Sequence, residues 1–355
     1  MILIKDKPLS LPIIQGGMGI GVSLGNLAGH VAKHGAMGII SAANTGFESA
    51  EFWSNPVQSN LTALQEHIQK AKKIAAGAGL VGINAMVATK HYAETIRAAV
   101  EAGVDAIISG AGLPTELPAL VKGSKTAIAP IVSSGKAART ICRLWDKRHG
   151  VCPDFVVVEG PEAGGHLGFS ADELLNGTAQ TLEQIVPEVL TAVQPYEEKY
   201  QRRIPVFAAG GVYTADDIAR FLEMGAAGAQ IGTRFIATEE CDASQAYKEF
   251  MVASKQEDIC IVKSPVGMPG RALCSPLIQR LNRDVRILVK KCADCLHPCN
   301  PATTPYCITN ALIEAVRGNW EDGLFFCGSN AWRLDRILPV RELLEELKKG
   351  WRNEE

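Results

Sequence analysis

The chain carries almost no surplus of either charge: 36 Lys+Arg against 38 Asp+Glu leave a formal net charge of −2. Proteins that hold nucleic acid or another polyanion through their field need a basic excess, so that class is excluded. Long apolar runs are also missing. No uninterrupted stretch reaches the roughly 20 residues that span a bilayer. The opening MILIKDKPLSLPIIQGG lacks the apolar core of a secretory leader. These absences predict a soluble, cytoplasmic protein with no membrane partner. An early G-x-G-x-x-G opening a helix, with an acidic residue about twenty positions on, is absent as well, which weighs against an open dinucleotide-binding sheet.

What is present is an apolar fraction of 47% over 355 residues. That length suits an α/β barrel with an appendage better than one simple core. One grammar repeats: a helical stretch stops at a glycine and a short apolar run follows. It appears as KHGAMGIIS, EAGVDAIIS, RHGVCPDFVVVEG and EMGAAGAQIG, with Gly35, Gly103, Gly150 and Gly225 at the helix stops. The runs are short and uniformly apolar, as strands buried on both faces are. Counting them predicts eight strands, at 13–15, 38–41, 81–84, 106–109, 127–132, 155–159, 206–209 and 229–232. Eight parallel strands alternating with helices make a closed (βα)8 TIM barrel. We expect it over residues 1–255, with a C-terminal Cys-rich helical extension over 256–355 packed on the barrel. A long helix is predicted over 54–76, a Thr214 N-cap before Asp216 and Asp217, and a charged helix near 341–349.

Barrel sites lie at the strand C-termini, and reading those positions gives one coherent set. The first strand ends in Gly16, Gly17 and Met18, an apolar surface a flat ring can approach closely. Asn84 ends the third strand, Ser109 the fourth and Glu159 the sixth. Gly164, Gly165 and His166 follow, so a side chain that titrates near neutrality stands at the pocket mouth. Ala209, Gly210 and Gly211 end the seventh strand, and Gln230, Gly232 and Thr233 end the eighth. Glycines after strands seven and eight are where barrels often bind phosphate. Phosphate plus a flat ring leaves flavin mononucleotide (FMN) or pyridoxal phosphate. No strand end offers the Schiff-base lysine that pyridoxal phosphate needs, so FMN is the expectation.

Taken together, PIIQGGMG, the GIN of strand three, SGAG, EGPEAGGHLG, PVFAAGGV and GAQIGTRF resemble the nitronate monooxygenase (2-nitropropane dioxygenase) family. The same motifs occur in its close relative, the flavin-dependent enoyl-acyl-carrier-protein reductase of bacterial fatty-acid synthesis. The resemblance covers roughly residues 8–275. It implies FMN in a TIM barrel, with phosphate contacts near Gly210, Gly211, Gly232 and Thr233. It implies ring contacts near Gly17, Met18 and Asn84, and His166 as catalytic acid or base. The expected activity is oxidation of alkyl nitronates, a small-molecule substrate, with O2. The alternative is reduction of an enoyl thioester, with NAD(P)H and acyl carrier protein as partners. A third reading, from another class, is a non-catalytic FMN- or metal-binding accessory protein. A homodimer is expected, as barrel enzymes of this kind often form one.

Five of the ten cysteines crowd the last fifth of the chain. Cys292, Cys295, Cys299 and Cys307 follow a C-x2-C-x3-C-x7-C spacing, which predicts a zinc ion or an iron–sulfur cluster. Packing as small apolar residues is the alternative. Arg271, within SPVGMPGRAL, is expected to dock the extension, and Asn44 and Thr45 to face the substrate side or form a plain polar loop.

Overall fold

The computed structural model describes residues 2–351. Eight parallel strands close into a barrel: β1 (Ile13–Gln15), β2 (Met37–Ser41), β3 (Leu80–Met86), β4 (Ala106–Gly110), β5 (Ala127–Val132), β6 (Val156–Glu159), β7 (Val206–Ala209) and β8 (Gly228–Ile231). Each pairs with its neighbour in chain order, and β8 pairs β1 to close the ring. This is the TIM barrel that the apolar runs predict.

Two apolar layers account for those runs. Alternate strand residues point inward, where Ile14, Ile39, Ile108, Val157 and Phe207 fill the barrel. Phe155 and Phe207 meet edge to face there, with centroids 5.8 Å apart. The residues between them point outward against the helices, as Ile40, Val156 and Ala208 do. A short hairpin, Ile2–Ile4 with Lys7–Leu9, precedes the barrel. Its Ile4 and Leu9 are fully buried in the inner layer. The hairpin therefore plugs the N-terminal end, and the strand C-termini form the open mouth.

Helix Pro56–Ala75 buries Leu64, Ile68, Ala71 and Ala75, spaced three and four apart, so one stripe faces the barrel. Thr214 caps helix Ala215–Glu223 as predicted. Its hydroxyl accepts from the Asp217 N–H and the Asp217 carboxylate accepts from the Thr214 N–H. Gly150, at φ 67°, ends helix Gly135–His149 in the left-handed region where a side chain is strained.

The last shell helix, Gln245–Val252, stops just before the expected division at residue 255. Strand Ile259–Lys263 then pairs antiparallel with Pro269–Leu273. That second strand also pairs antiparallel with Gly165–His166, which comes from the loop after β6. The resulting three-stranded sheet ties the extension to the barrel mouth. Helices Pro276–Leu281 and Ile308–Val316 bury a core of their own, including Val262, Leu277, Leu296, Tyr306 and Leu324. The chain finally returns to the barrel wall through helix Val340–Lys348, where Glu346 pairs with Arg234 at 2.6 Å.

Candidate active site

A cavity of about 490 Å3 opens at the strand C-termini and is roofed by the extension. It brings together nearly every candidate. Gly16, Gly17 and Met18 line it from β1 and Asn84 from β3; Glu159, Gly165 and His166 come from β6 and its loop. Ala209, Gly210 and Gly211 follow β7, and Gln230, Gly232 and Thr233 belong to β8 and its end. Ser109 is the exception. Its side chain is fully buried, its hydroxyl donates to the Ala85 carbonyl at 2.9 Å, and the Tyr92 hydroxyl lies 2.8 Å away. It stitches β4 to β3, and it is not among the residues that line the cavity.

The glycines make a close-fitting wall. A Cβ built on Gly17 would fall 2.4 Å from Asn84 Cβ, so only glycine fits beside that side chain. Gly210 and Gly211 have φ of 83° and 102°, which turns the chain sharply at the end of β7. Thr233 accepts the Gly328 N–H at 2.9 Å, and Asn330 Nδ2 donates to the Gly211 carbonyl at 3.1 Å. The extension thus reaches back, through Gly328 and Asn330, to complete the β7–β8 end of the cavity. Gln230 Oε1 is the one buried side-chain oxygen or nitrogen among the described residues that has no hydrogen-bond partner. Leaving such an acceptor bare costs about 1–3 kcal/mol, so it calls for an N–H or O–H from a ligand.

His166 stands on Gly165–His166, clamped by pairing to Gly270 and Arg271. Its Nε2 lies 2.8 Å from Ser264 Oγ, and its ring meets Phe326 edge to face at 5.1 Å. Burial pushes its pKa down to about 4, so the imidazole is neutral near pH 7. Glu159 has the opposite departure: burial pushes its carboxyl up to about 8. Both groups are therefore uncharged around neutrality. Arg271 docks as expected, its guanidinium donating to the Pro161 and Ala163 carbonyls, each at 2.6 Å. Asn44 lines the cavity, donating to Thr309 Oγ1 at 3.1 Å, while Thr45 turns away to the Asn60 carbonyl.

The metal expectation is corrected. Among the described residues no three His, Cys, Asp or Glu side chains gather as a ligand set. Cys295 Sγ lies 3.1 Å from Thr309 Oγ1, and burial holds its thiol up at about 11, protonated. Cys292 is exposed and accepts the Asp294 N–H at 3.4 Å. Cys299 and Cys307 are half-buried thiols of the extension, and burial raises Cys307 too.

Sequence reasoning missed Ser264, Phe326, Gly328 and Asn330. The FCGSN run ending in Asn330 held the only signal, a Gly-Ser-Asn turn of the kind that offers backbone and amide donors.

No described helix is long and apolar enough to cross a membrane. The nitronate monooxygenase family profile matches residues 2–350. A 5-hydroxy-7a-methyl-1-oxo-octahydro-1H-indene-4-carboxyl-CoA dehydrogenase of Rhodococcus jostii is 28% identical over 76% of this chain and 64% of its own. A nitronate monooxygenase of Pseudomonas aeruginosa is 30% identical over 55% of this chain and 50% of its own. The chain thus spans less than two thirds of either relative's length. The solved structure of FabK from Thermotoga maritima superposes with a TM-score of 0.71 at 26% identity, covering 97% of this chain and 94% of that one. Strand order, glycine-walled cavity and profile agree: this chain belongs to the nitronate monooxygenase family.

Proposed function

We propose that the chain is an FMN-dependent oxidoreductase that oxidises alkyl nitronates with O2. The observation that carries this reading is the bare Gln230 Oε1 in a glycine-walled slot that also holds His166. A flavin ring fits that demand because it is flat and carries a ring N–H donor. The residues that would hold the ring are Gly16, Gly17, Met18, Asn84, Glu159, Ala209 and Gln230. Gly165, Gly210, Gly211, Gly232 and Thr233 would hold the ribityl phosphate, with backbone N–H groups as its donors. FMN, when bound, supplies the electron transfer and O2 chemistry that no side chain has.

The chain's own part is to place and polarise the substrate. Ser264 Oγ accepts the Val266 N–H at 3.2 Å and keeps its own proton, which in this reading it donates to His166 Nε2. That assignment puts the imidazole proton on Nδ1. Nδ1 has no protein partner among the described residues and is not a buried atom, so it meets the cavity. There it donates to a nitronate oxygen. Neutral Glu159 sets no negative charge of its own against the anion.

His166→Ala is expected to keep FMN bound and to lower turnover by ~10²–10⁴, the usual worth of such a group. An unchanged rate rejects the role. A second reading, reduction of an enoyl thioester by NAD(P)H, is favoured by one observation: the cavity's outer wall is apolar, as an acyl chain requires. Bleaching of the flavin by NADPH under anaerobic conditions would select it.

A further inference from the structure

The cavity has two kinds of wall. The barrel side is built of glycines and polar ends, whereas the extension contributes Val266, Leu296, Ile308, Leu312, Leu324 and Phe326. Four of these, Val266, Leu296, Ile308 and Leu324, are at most 7% exposed and belong to the extension's own core. They are therefore held by packing and do not swing on a loose loop. Ile308 and Leu312 lie four apart on helix Ile308–Val316, on one face. Leu312 packs against both the barrel core and the extension core, so it sits at their seam. Val57 and Leu61, from the start of helix Pro56–Ala75, add to the apolar lining.

Among the described residues the extension contributes no Asp, Glu, Lys or Arg to the cavity lining, and Glu159 and Glu162 come from the barrel side. Arg234 is the one Lys or Arg in the cavity lining among the described residues, and Glu346 and the Tyr213 carbonyl occupy it. The polar groups beside the wall satisfy one another: Asn60 Nδ2 donates to Asn44 Oδ1 at 3.2 Å and Asn44 Nδ2 to Thr309. Nothing in that wall calls for a charged or hydrogen-bonding occupant, and its surface loses contact with water when an apolar one enters.

We infer that the extension forms a compartment for an apolar carbon chain attached to the reacting group, and that Leu312 limits the chain length accepted. The inference rests on the reading of His166 as the point where the reacting group is held. It assigns the extension a specificity role that the expected metal site would not have given it.

The test uses a homologous series, butan-1-ol to octan-1-ol, titrated by calorimetry into the full-length protein with FMN added. These probes bind without reacting. Affinity is expected to rise about threefold to fourfold per methylene, the size set by burying one CH2, until the compartment is full. Leu312→Trp should end that rise at least one carbon earlier and Leu312→Ala at least one carbon later. Melting temperature and retained FMN report whether each variant is folded. If Leu312→Trp does not fold, Leu296→Ala and Leu312→Ala replace it, and both must lengthen the series. Affinity that does not depend on chain length, or variant series that overlay the wild type, would overturn the inference. Turnover on alkyl nitronates is measured in parallel. A length-dependent series without nitronate oxidation keeps the compartment and removes the proposed reaction. Nitronate oxidation with a flat series does the reverse.

Discussion

Glu159 and His166 share one cavity, and burial drives their titrations in opposite directions. A carboxyl raised to about 8 and an imidazole lowered to about 4 are both neutral across the physiological range. The sign of each effect on stability follows from linkage. Glu159 is protonated in the fold but ionises above 4.5 when unfolded, so stability falls as pH climbs from there to about 8. His166 is neutral in the fold but protonates below 6.5 when unfolded, so stability falls as pH drops from there to about 4. Glu159→Gln should therefore raise the melting temperature at pH 8 relative to the wild type, and the difference should vanish by pH 4. A difference that is constant with pH would show that Glu159 is not held neutral. Ser264 acts through His166: its hydroxyl at 2.8 Å orients the ring. Ser264→Ala should lower kcat by roughly tenfold, the worth of one such bond, while FMN affinity stays unchanged. Loss of FMN in that variant would assign Ser264 to the fold and not to the imidazole.

At the scale of elements, the strand Gly165–His166 is only two residues long, yet the imidazole depends on it. It is held from Pro269–Leu273, a strand of the extension. A Cβ on Gly270 would fall 2.9 Å from Phe326 and 3.2 Å from the Gly165 carbonyl, so Gly270→Val must displace one of them. We expect that variant to lose turnover while far-UV circular dichroism is unchanged, and full activity would show that the strand's position is not critical. The same element shows where the sequence could be read and where it could not. The eight barrel strands were legible because each writes itself as a short apolar run buried on both faces, four of them directly after a helix-stopping glycine. Their ends differ from expectation by a residue or two where ladder pairing extends them, as at Met37 and Met86. Gly165–His166 has no such run, and its partners lie about a hundred positions on, so its pairing and the Ser264 contact were invisible. The thiol spacing misled for the same reason. Spacing reports neighbours along the chain, and here the backbone between Cys292 and Cys307 leaves no ligand set gathered.

On the scale of the whole molecule, barrel and extension share one sheet, one cavity and several contacts at its β7–β8 end. Gly328 and Asn330 hold Thr233 and Gly211 from above, while Glu346 pins Arg234 from the side. A chain ending at residue 255 would uncover the mouth and unpair Gly165–His166. We expect such a truncation to bind FMN at least tenfold more weakly than the full chain, measured by flavin fluorescence quenching. Equal affinity would show that the barrel alone makes the site. The proposed reaction needs this cavity to hold FMN with His166 placed to take an alkyl nitronate. The most direct test is the visible spectrum of the FMN-loaded protein, kept anaerobic, on mixing with propyl-1-nitronate. The flavin band should change within the turnover time and recover when O2 is admitted. A band that ignores the nitronate but bleaches with NADPH would contradict the proposed reaction.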